Sequence, residues 1–159
     1  MYATTLEAVD PALYEILLVA TDREFRDTHP AHWANAVIYR PTSLMLGLGC
    51  HRGASAEMVE RGVLAILARH NLSVRSVKAI ATVDRKADEP AFLYLRDRYG
   101  WPLETYPAEA AALLCAGAAV LLLPKQVYTE PGAGRAMTLA VARIPYPKRR
   151  AVQSVGGHG

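Results

Sequence analysis

The chain has 159 residues, of which 52% are apolar, 21% charged and 8% aromatic. One domain of this size can bury its own core, and the composition excludes a disordered or collagen-like protein. No apolar run approaches the roughly 20 residues of a membrane-spanning helix, and the first residues lack the pattern of a signal peptide. We therefore expect a cytoplasmic protein with no membrane partner, in which Cys50 and Cys115 are free thiols.

The net charge of +3 is unevenly distributed. Residues 1–30 contain six acidic and two basic residues, whereas residues 131–159 contain five basic residues and no acidic one. This asymmetry indicates either that the two ends neutralise each other or that one of them faces an anionic partner. Because Tyr146 is the only aromatic residue at the basic end, nucleic acid is not an expected partner.

Residues 1–42, called the lead-in here, are predicted to precede the main domain as an acidic segment and a linker. The apolar run 16–20 predicts either a buried strand or the end of a helix that begins at Pro11. Residues 36–39 predict one short extended element between prolines and charged residues. Compact structure is expected to begin at Ser43.

Residues 43–144 alternate strands with helices and are predicted to form the main domain. Predicted strands cover 44–50, 77–82, 103–106, 120–123 and 137–142, and predicted helices follow Ser55 and cover 90–99 and 108–116. A turn at 131–134 predicts that the last two strands form a hairpin. We expect an α/β fold, a three-layer α/β/α sandwich with a mostly parallel mixed sheet and an antiparallel edge hairpin. Residues 145–159 are predicted to be a flexible basic tail.

A glycine-rich segment, residues 47–55, joins the first strand of the main domain to its first helix and is called the glycine loop. Its candidate binding residues are Gly47, Gly49, Cys50, Arg52, Gly53 and Ser55. Free N–H groups and the helix dipole at such a junction bind phosphate or carboxylate groups. The spacing fits neither nucleotide-binding glycine motif, so a nucleotide-binding domain is an alternative that rests on this loop alone. A tight turn capped by Ser55 explains the same residues equally well.

Cys50 and His51 are adjacent, but no other Cys or His lies near them in the sequence to complete a set of metal ligands. We therefore predict no metal site and no cofactor. Cys50 would act as a nucleophile only beside a base, and a small buried hydrophobic role is more common for such a cysteine.

The loop after the second strand of the main domain, residues 84–90, carries charges of both signs. In a parallel sheet the loops at the carboxyl ends of neighbouring strands converge, so Lys86, Asp88 and Glu89 could share a site with the glycine loop. There they would supply a base and a cation for an acidic substrate. Alternatively, Asp88 caps the next helix, Glu89 complements its dipole and Lys86 is solvated. Lys125, which follows another predicted strand, is expected either to reach the same crevice or to be solvated.

Several segments, taken together and in order, resemble one protein family. They are residues 47–55, 84–90, 109–113 and 124–125, followed by 138–142. The chain resembles the C-terminal domain of CbiG, which also occurs alone as CobE, in cobalamin biosynthesis, and the resemblance covers roughly residues 39–143. Residues 35–41 are similar to the linker that precedes this domain in CbiG.

The resemblance implies the activity of a cobalt-precorrin-5A hydrolase, which opens a ring-A δ-lactone and releases acetaldehyde. The implied ligand is a cobalt-precorrin macrocycle with many carboxylates, which the glycine loop with Arg52, Lys86 and Lys125 would suit. The implied partners are an N-terminal CbiG domain or other enzymes of the cobalamin pathway.

A hydrolase also needs a group that activates water, and Glu57, Asp88 and Glu89 are the candidate bases. The alternative function is a non-catalytic module, like CobE, that binds or carries the corrinoid precursor.

Overall fold

The structure is a computed structural model that describes residues 2–106, 120–132 and 136–144. The elements, in chain order, are β1 Leu17–Ala20, α1 Pro30–Ala34, β2 Ala36–Tyr39, β3 Leu44–Cys50, α2 Ala56–Arg69, β4 Val77–Val83, α3 Pro90–Tyr99, β5 Leu103–Tyr106, β6 Val120–Thr129 and β7 Ala136–Arg143. The predicted helix at 108–116 and the predicted basic tail at 145–159 lie outside the described residues, as does Cys115.

Five strands form the main sheet in the order β5-β4-β3-β7-β6. The pairs β5-β4 and β4-β3 are parallel, whereas β7 is antiparallel to both β3 and β6. The α/β fold, the mixed sheet and the antiparallel edge hairpin are thus confirmed.

Strand β6 is longer than predicted, because it continues past Pro124 to Thr129. The predicted end of this strand at Leu123 is therefore wrong. Proline lacks a donor for the ladder, but β6 is an edge strand, and its register shifts between Leu123 and Gln126, where Pro124 lies. An edge strand with a bulge can thus accommodate a proline that would interrupt a central strand.

The core of the main domain lies between one face of the sheet and helices α2 and α3. Alternate residues of β3, Leu44, Leu46 and Leu48, are buried in one cluster with Val63 of α2 and Phe92 of α3. Successive side chains of a strand point to opposite faces, so this alternation directs every second residue of β3 towards the helices. The ends of β3 and β4 are consequently held in place directly beside the helix N-termini.

The lead-in contains two strands and a helix. Strands β1 and β2, which are connected by the segment that contains α1, pair in parallel and form a separate two-stranded sheet. The prediction of a strand within 16–20 is confirmed, but its predicted burial is wrong, because Leu18 and Ala20 are exposed. The alternative of a helix end is wrong, and the extended element at 36–39 is confirmed as β2. The helix α1 was not predicted from the sequence, since five residues are too few to show a helical period.

One buried ion pair joins the lead-in to the main sheet. Asp22 is 5% exposed, and it accepts hydrogen bonds of 2.6 Å from both Nε and Nη2 of Arg143 and one of 2.9 Å from Ser43 Oγ. At this pair the acidic beginning of the chain neutralises a residue of its basic end. No helix of the described ranges is long and apolar enough to cross a membrane.

Candidate functional site

Strands β3 and β4 separate near their carboxyl ends. Their last paired residue on β3 is Gly47, after which β3 continues to Cys50 beside β7 and β4 continues to Val83 beside β5. At the start of this separation Thr82 Oγ1 donates a 2.9 Å hydrogen bond to the Leu48 carbonyl. In open α/β sheets, ligands bind outside the carboxyl ends of the strands. We call this opening the β3–β4 crevice.

Glu89 connects the two loops that follow β3 and β4. Its side chain is 4% exposed, and Oε1 accepts a 3.3 Å hydrogen bond from the Gly53 N–H in the glycine loop. Lys86 Nζ lies 3.9 Å from Oε2, and the Lys86 side chain is 16% exposed. The structure thus brings both predicted loops together around one buried carboxylate.

Asp88 does not cap helix α3. Pro90 occupies the first helical position, so the N-cap is Glu89, whose side chain makes no capping hydrogen bond within the described part of the chain. Asp88 is exposed, one residue outside the cap. The predicted capping role of Asp88 is therefore wrong, and Glu89 turns its carboxylate towards Gly53 instead of towards its own helix.

The glycines of the glycine loop have distinct roles. Gly47 and Gly49 lie inside β3, where they pair with Ala140 and Thr138. A side chain on Gly49 would bring its Cβ to 2.7 Å from Thr138 Oγ1, so any other residue there would force Thr138 to shift. Gly53 has a φ of +74°, a left-handed conformation that glycine adopts without strain. The turn that presents the N–H to Glu89 therefore depends on Gly53.

Ser55 caps helix α2, as predicted. Its Oγ accepts a 3.2 Å hydrogen bond from the Met58 N–H, and the same hydroxyl donates to Glu57 Oε2 at 3.0 Å. Hydrogen bonds from the backbone and from Ser55 hold the pKa of Glu57 below its ordinary value. Glu57 is exposed, and a carboxylate with a lowered pKa is a weaker base. Arg52 is exposed in the same loop.

Cys50 is half-buried at the end of β3. Burial raises the pKa of its thiol, the negative charge of Glu89 raises it further, and Lys86 opposes this effect. A neutral thiol is a poor nucleophile and a poor metal ligand. Among the described residues no three His, Cys, Asp or Glu side chains form a group that could hold a metal ion. Cys50 packs against the core as a small hydrophobic residue.

Lys125 lies away from the β3–β4 crevice. It is an exposed residue within β6 rather than one that follows a strand, and β7 separates β6 from β3. Two strand spacings place it on the order of 10 Å from β3. In contrast, Thr82 was not predicted to belong to the site, although it is 2% exposed and its side chain bonds to the Leu48 carbonyl of the neighbouring strand. A buried polar residue at the end of an apolar strand was the signal that could have identified it.

Comparisons with known proteins agree with this architecture. A family model described as "Cobalamin synthesis G C-terminus" matches residues 44–110. The cobalt-precorrin-5A hydrolase of Priestia megaterium is 33% identical over 168 residues, a match that covers 90% of this chain and 42% of the hydrolase. The chain therefore spans less than half the length of that relative.

Two further matches are to CobE proteins. Protein CobE of a Sinorhizobium species is 32% identical over 114 residues, which is 64% of this chain and 72% of CobE. The crystal structure of a CobE from the cobalamin (vitamin B12) biosynthetic pathway matches with a TM-score of 0.51 at 24% identity. This match covers 64% of this chain and 93% of the CobE chain. The chain thus belongs to the cobalamin-biosynthesis family of CobE and the C-terminal domain of CbiG.

Proposed function

We propose that this chain binds a cobalt-precorrin and contributes to the opening of its ring-A δ-lactone, with release of acetaldehyde, as part of a cobalt-precorrin-5A hydrolase. The observation that carries the proposal is the buried carboxylate of Glu89, which lies where the loops after β3 and β4 meet. The 33% identity with the Priestia hydrolase supports the choice of reaction.

In this proposal the β3–β4 crevice receives the carboxylate-bearing periphery of the macrocycle. Lys86 and Arg52 supply one cation from each of the two loops, and the N-terminus of α2 contributes its dipole. Lys86 already lies near Glu89, so it keeps the buried carboxylate from repelling an anionic substrate. Lys125 has no part in this site because of its place on β6.

Glu89 is the general base that we infer for the attack of water on the lactone carbonyl. Glu89 takes a proton from water, the oxygen of water forms a bond to the carbonyl carbon, and the bond from that carbon to the ring oxygen breaks, which leaves a carboxylic acid and an alkoxide. As the alkoxide oxygen forms the carbonyl group of acetaldehyde, the carbon–carbon bond to the macrocycle breaks, and the macrocycle takes that electron pair together with the proton from Glu89. Both carboxylate oxygens of Glu89 have partners, Gly53 N–H and Lys86, which fix its orientation. A base held in this way loses little conformational entropy during proton transfer.

The same geometry disfavours the other two carboxylates as bases. Asp88 is exposed outside the cap of α3, and Glu57 is exposed with a lowered pKa and a hydrogen bond to Ser55. Neither has the burial that protects a catalytic carboxylate from bulk water.

A second candidate function is a non-catalytic module that binds or carries the corrinoid precursor. The similarity to CobE supports it, because the chain covers 72% of that protein. In this case the contacts of Glu89 serve to hold the two loops together, and the crevice binds the macrocycle without chemistry.

The experiment compares Glu89→Gln with Asp88→Asn. Cobalt-precorrin-5A is supplied to a chimaera in which the part of the Priestia hydrolase outside the match precedes this chain, and acetaldehyde is measured. We expect Glu89→Gln to lower kcat at least about 100-fold, the usual contribution of a general base, and Asp88→Asn to change it less than about twofold. The amide introduced by Glu89→Gln retains an oxygen acceptor for the Gly53 N–H, so the loops stay in place.

Two results would contradict the proposal at different levels. Equal rates for both variants would exclude Glu89 as the base while leaving hydrolysis intact. If no acetaldehyde forms although the chain binds the precorrin, as followed by its absorbance spectrum, the carrier function is correct instead.

A further inference from the structure

Within the described ranges, strand β1 has one edge that no other strand pairs with. Among the described residues β1 and β2 pair only with each other, in a two-stranded parallel sheet. Parallel sheets normally have more strands and are covered on both faces, and an isolated pair of strands is marginally stable in water. The two strands therefore have the form of part of a larger sheet.

The hydrogen bonds to β2 show which backbone groups face the open edge. The N–H groups of Leu17 and Thr21 donate to carbonyl oxygens on the β2 side at 3.0 Å and 3.1 Å. Backbone groups alternate in direction along a parallel strand. The N–H groups of Leu18 and Ala20 consequently point away from β2, to the open edge.

A cavity of about 840 Å³ lies along this edge. Every residue from 16 to 21 lines it, and so do Glu7 and Val9 of the N-terminal segment. Two histidines at α1 contact this segment: Nε2 of His29, the N-cap residue, lies 2.9 Å from Glu7 Oε1, and His32 Nε2 donates to the Val9 carbonyl at 2.8 Å. The four residues of β1 extend over about 13 Å, so the cavity offers a continuous strand edge.

The exposed face of this small sheet is apolar. Leu18 is 84% exposed and Ile16 65%, and their neighbours Val37 and Tyr39 on the β2 side are 55% and 66% exposed. Leu18 pairs directly with Val37, so these side chains form one contiguous patch. A contiguous apolar patch beside an open strand edge marks a surface that another polypeptide covers.

The share of each related protein that matches this chain indicates which polypeptide covers the apolar face and the open edge of β1. The family model begins at residue 44, and the solved CobE uses 93% of its own length to cover only 64% of this chain. A free-standing domain of this family is thus complete without about a third of the chain. The match to the Priestia hydrolase covers 90% of the chain, so it includes much of the lead-in, and more than half of the hydrolase lies outside the match.

We propose that a β-strand from the remaining part of a cobalt-precorrin-5A hydrolase pairs with the open edge of β1 and so joins that part to the main domain. Hydrogen bonds to the backbone of Leu18 and Ala20 supply affinity, and the apolar face around Leu18 supplies specificity. The inference rests on the proposed function, since it takes the hydrolase as the assembled enzyme.

Amide hydrogen exchange, resolved by residue, tests this pairing in the chimaera with the Priestia segment. We expect the amides of Leu18 and Ala20 to exchange at least about tenfold more slowly in the chimaera than in the chain alone, because they become hydrogen-bonded. The Thr21 amide, which is bonded to the β2 side in both, is the internal control.

A pair of variants separates pairing from simple proximity. Ala20→Pro removes an N–H that faces the open edge but leaves the groups that bond to β2, and Ala20→Val keeps this N–H. Protection of Leu18 should be lost in the chimaera with Ala20→Pro and kept with Ala20→Val. Unchanged Thr21 exchange shows that β1 and β2 remain paired in both variants.

Two outcomes would contradict the pairing: equal exchange of the Leu18 amide in the chain alone and in the chimaera, or equal protection of Leu18 in the two Ala20 variants. A third outcome, protection in the chain alone that grows with its concentration, would assign the edge to a second copy of this chain. The measurement needs no corrinoid. If the Leu18 and Ala20 amides are protected in the chimaera but no acetaldehyde forms, only the proposed function is contradicted. If acetaldehyde forms but these amides are not protected, only the strand pairing is contradicted.

Discussion

At the residue scale, the β3–β4 crevice depends on a few close contacts that substitutions would disturb in different ways. Glu89 holds the two loops together through Gly53 and Lys86, and Gly49 allows β7 to approach β3. The glycine loop was predicted from its residue types alone, but the structure separates glycines required by packing from the one required by backbone conformation.

The contact between Gly49 and Thr138 gives a direct prediction. Gly49→Ala should lower the free energy of unfolding by about 2 kcal/mol, because the new Cβ meets Thr138 Oγ1 at 2.7 Å. Thr138→Ala removes that oxygen, so the double variant should recover at least half of the loss. Urea denaturation of the single and double variants measures this coupling. A double variant no more stable than Gly49→Ala would show that the contact is not the cause.

At the scale of elements, the N-terminus of α2 has two possible roles, a capped helix end and an anion site. The hydrogen bond from Met58 N–H to Ser55 Oγ establishes the cap. In strand β6 the local signal was misleading, because Pro124, which was expected to end the strand, lies within it where its register is irregular. The start of α2 could be predicted because a cap is a local interaction. Whether β6 ends at Pro124 depended instead on which strands lie beside it.

Variants of Ser55 separate the two roles of the α2 N-terminus. Ser55→Ala should destabilise the fold by about 1 kcal/mol, whereas Ser55→Asp should retain stability because aspartate also caps helices. If the β3–β4 crevice binds carboxylates there, Ser55→Asp should nevertheless weaken cobalt-precorrin binding through charge repulsion. Thermal unfolding and a spectroscopic titration measure the two effects. Equal precorrin affinity of wild type and Ser55→Asp would remove the α2 N-terminus from the binding site.

At the scale of the whole molecule, the lead-in and the main sheet are joined by the pair of Asp22 and Arg143, which are 121 residues apart in the sequence. Charge asymmetry of the two ends was visible in the sequence, and the structure shows neutralisation for this pair. Burial raises the pKa of Asp22, but hydrogen bonds from Arg143 and Ser43 outweigh it and lower the pKa below its ordinary value of 3.8.

The lowered pKa fixes the sign of a pH dependence. The pair stabilises the fold above pH 3.8, and this contribution is lost as the pH falls through the folded-state pKa of Asp22. Asp22→Asn should therefore destabilise by about 2 kcal/mol at pH 7, less than the roughly 3–5 kcal/mol for breaking a fully buried pair, because the Arg143 side chain is 33% exposed.

Urea denaturation across pH measures this effect. The difference between wild type and Asp22→Asn should stay constant from pH 7 to about pH 5 and shrink below about pH 4. Asp27→Asn, at an exposed position of the same segment, is the matched control and should have little effect. A difference that persists unchanged at low pH would mean that the ionised carboxylate does not stabilise the fold.

The sequence by itself determined most of the secondary structure of the described main domain. Short apolar runs predicted β3 and β4, Ser55 predicted the start of α2, and the helix predicted over 90–99 agrees with α3. These features depend on residues close together in the chain, where side-chain period, caps and glycine conformations act. The family resemblance likewise rested on short segments in order.

Only the tertiary structure decided which of the candidate residues share a site. In the structure Glu89 contacts Gly53, and Lys125 lies within β6, away from the β3–β4 crevice. Asp88 and Glu57 are exposed. Each result depends on the order of strands and on where β3 and β4 part, which are set by packing between distant segments rather than by local preference. For the same reason the open edge of β1 and its apolar face could be recognised only once β2 had been placed beside it.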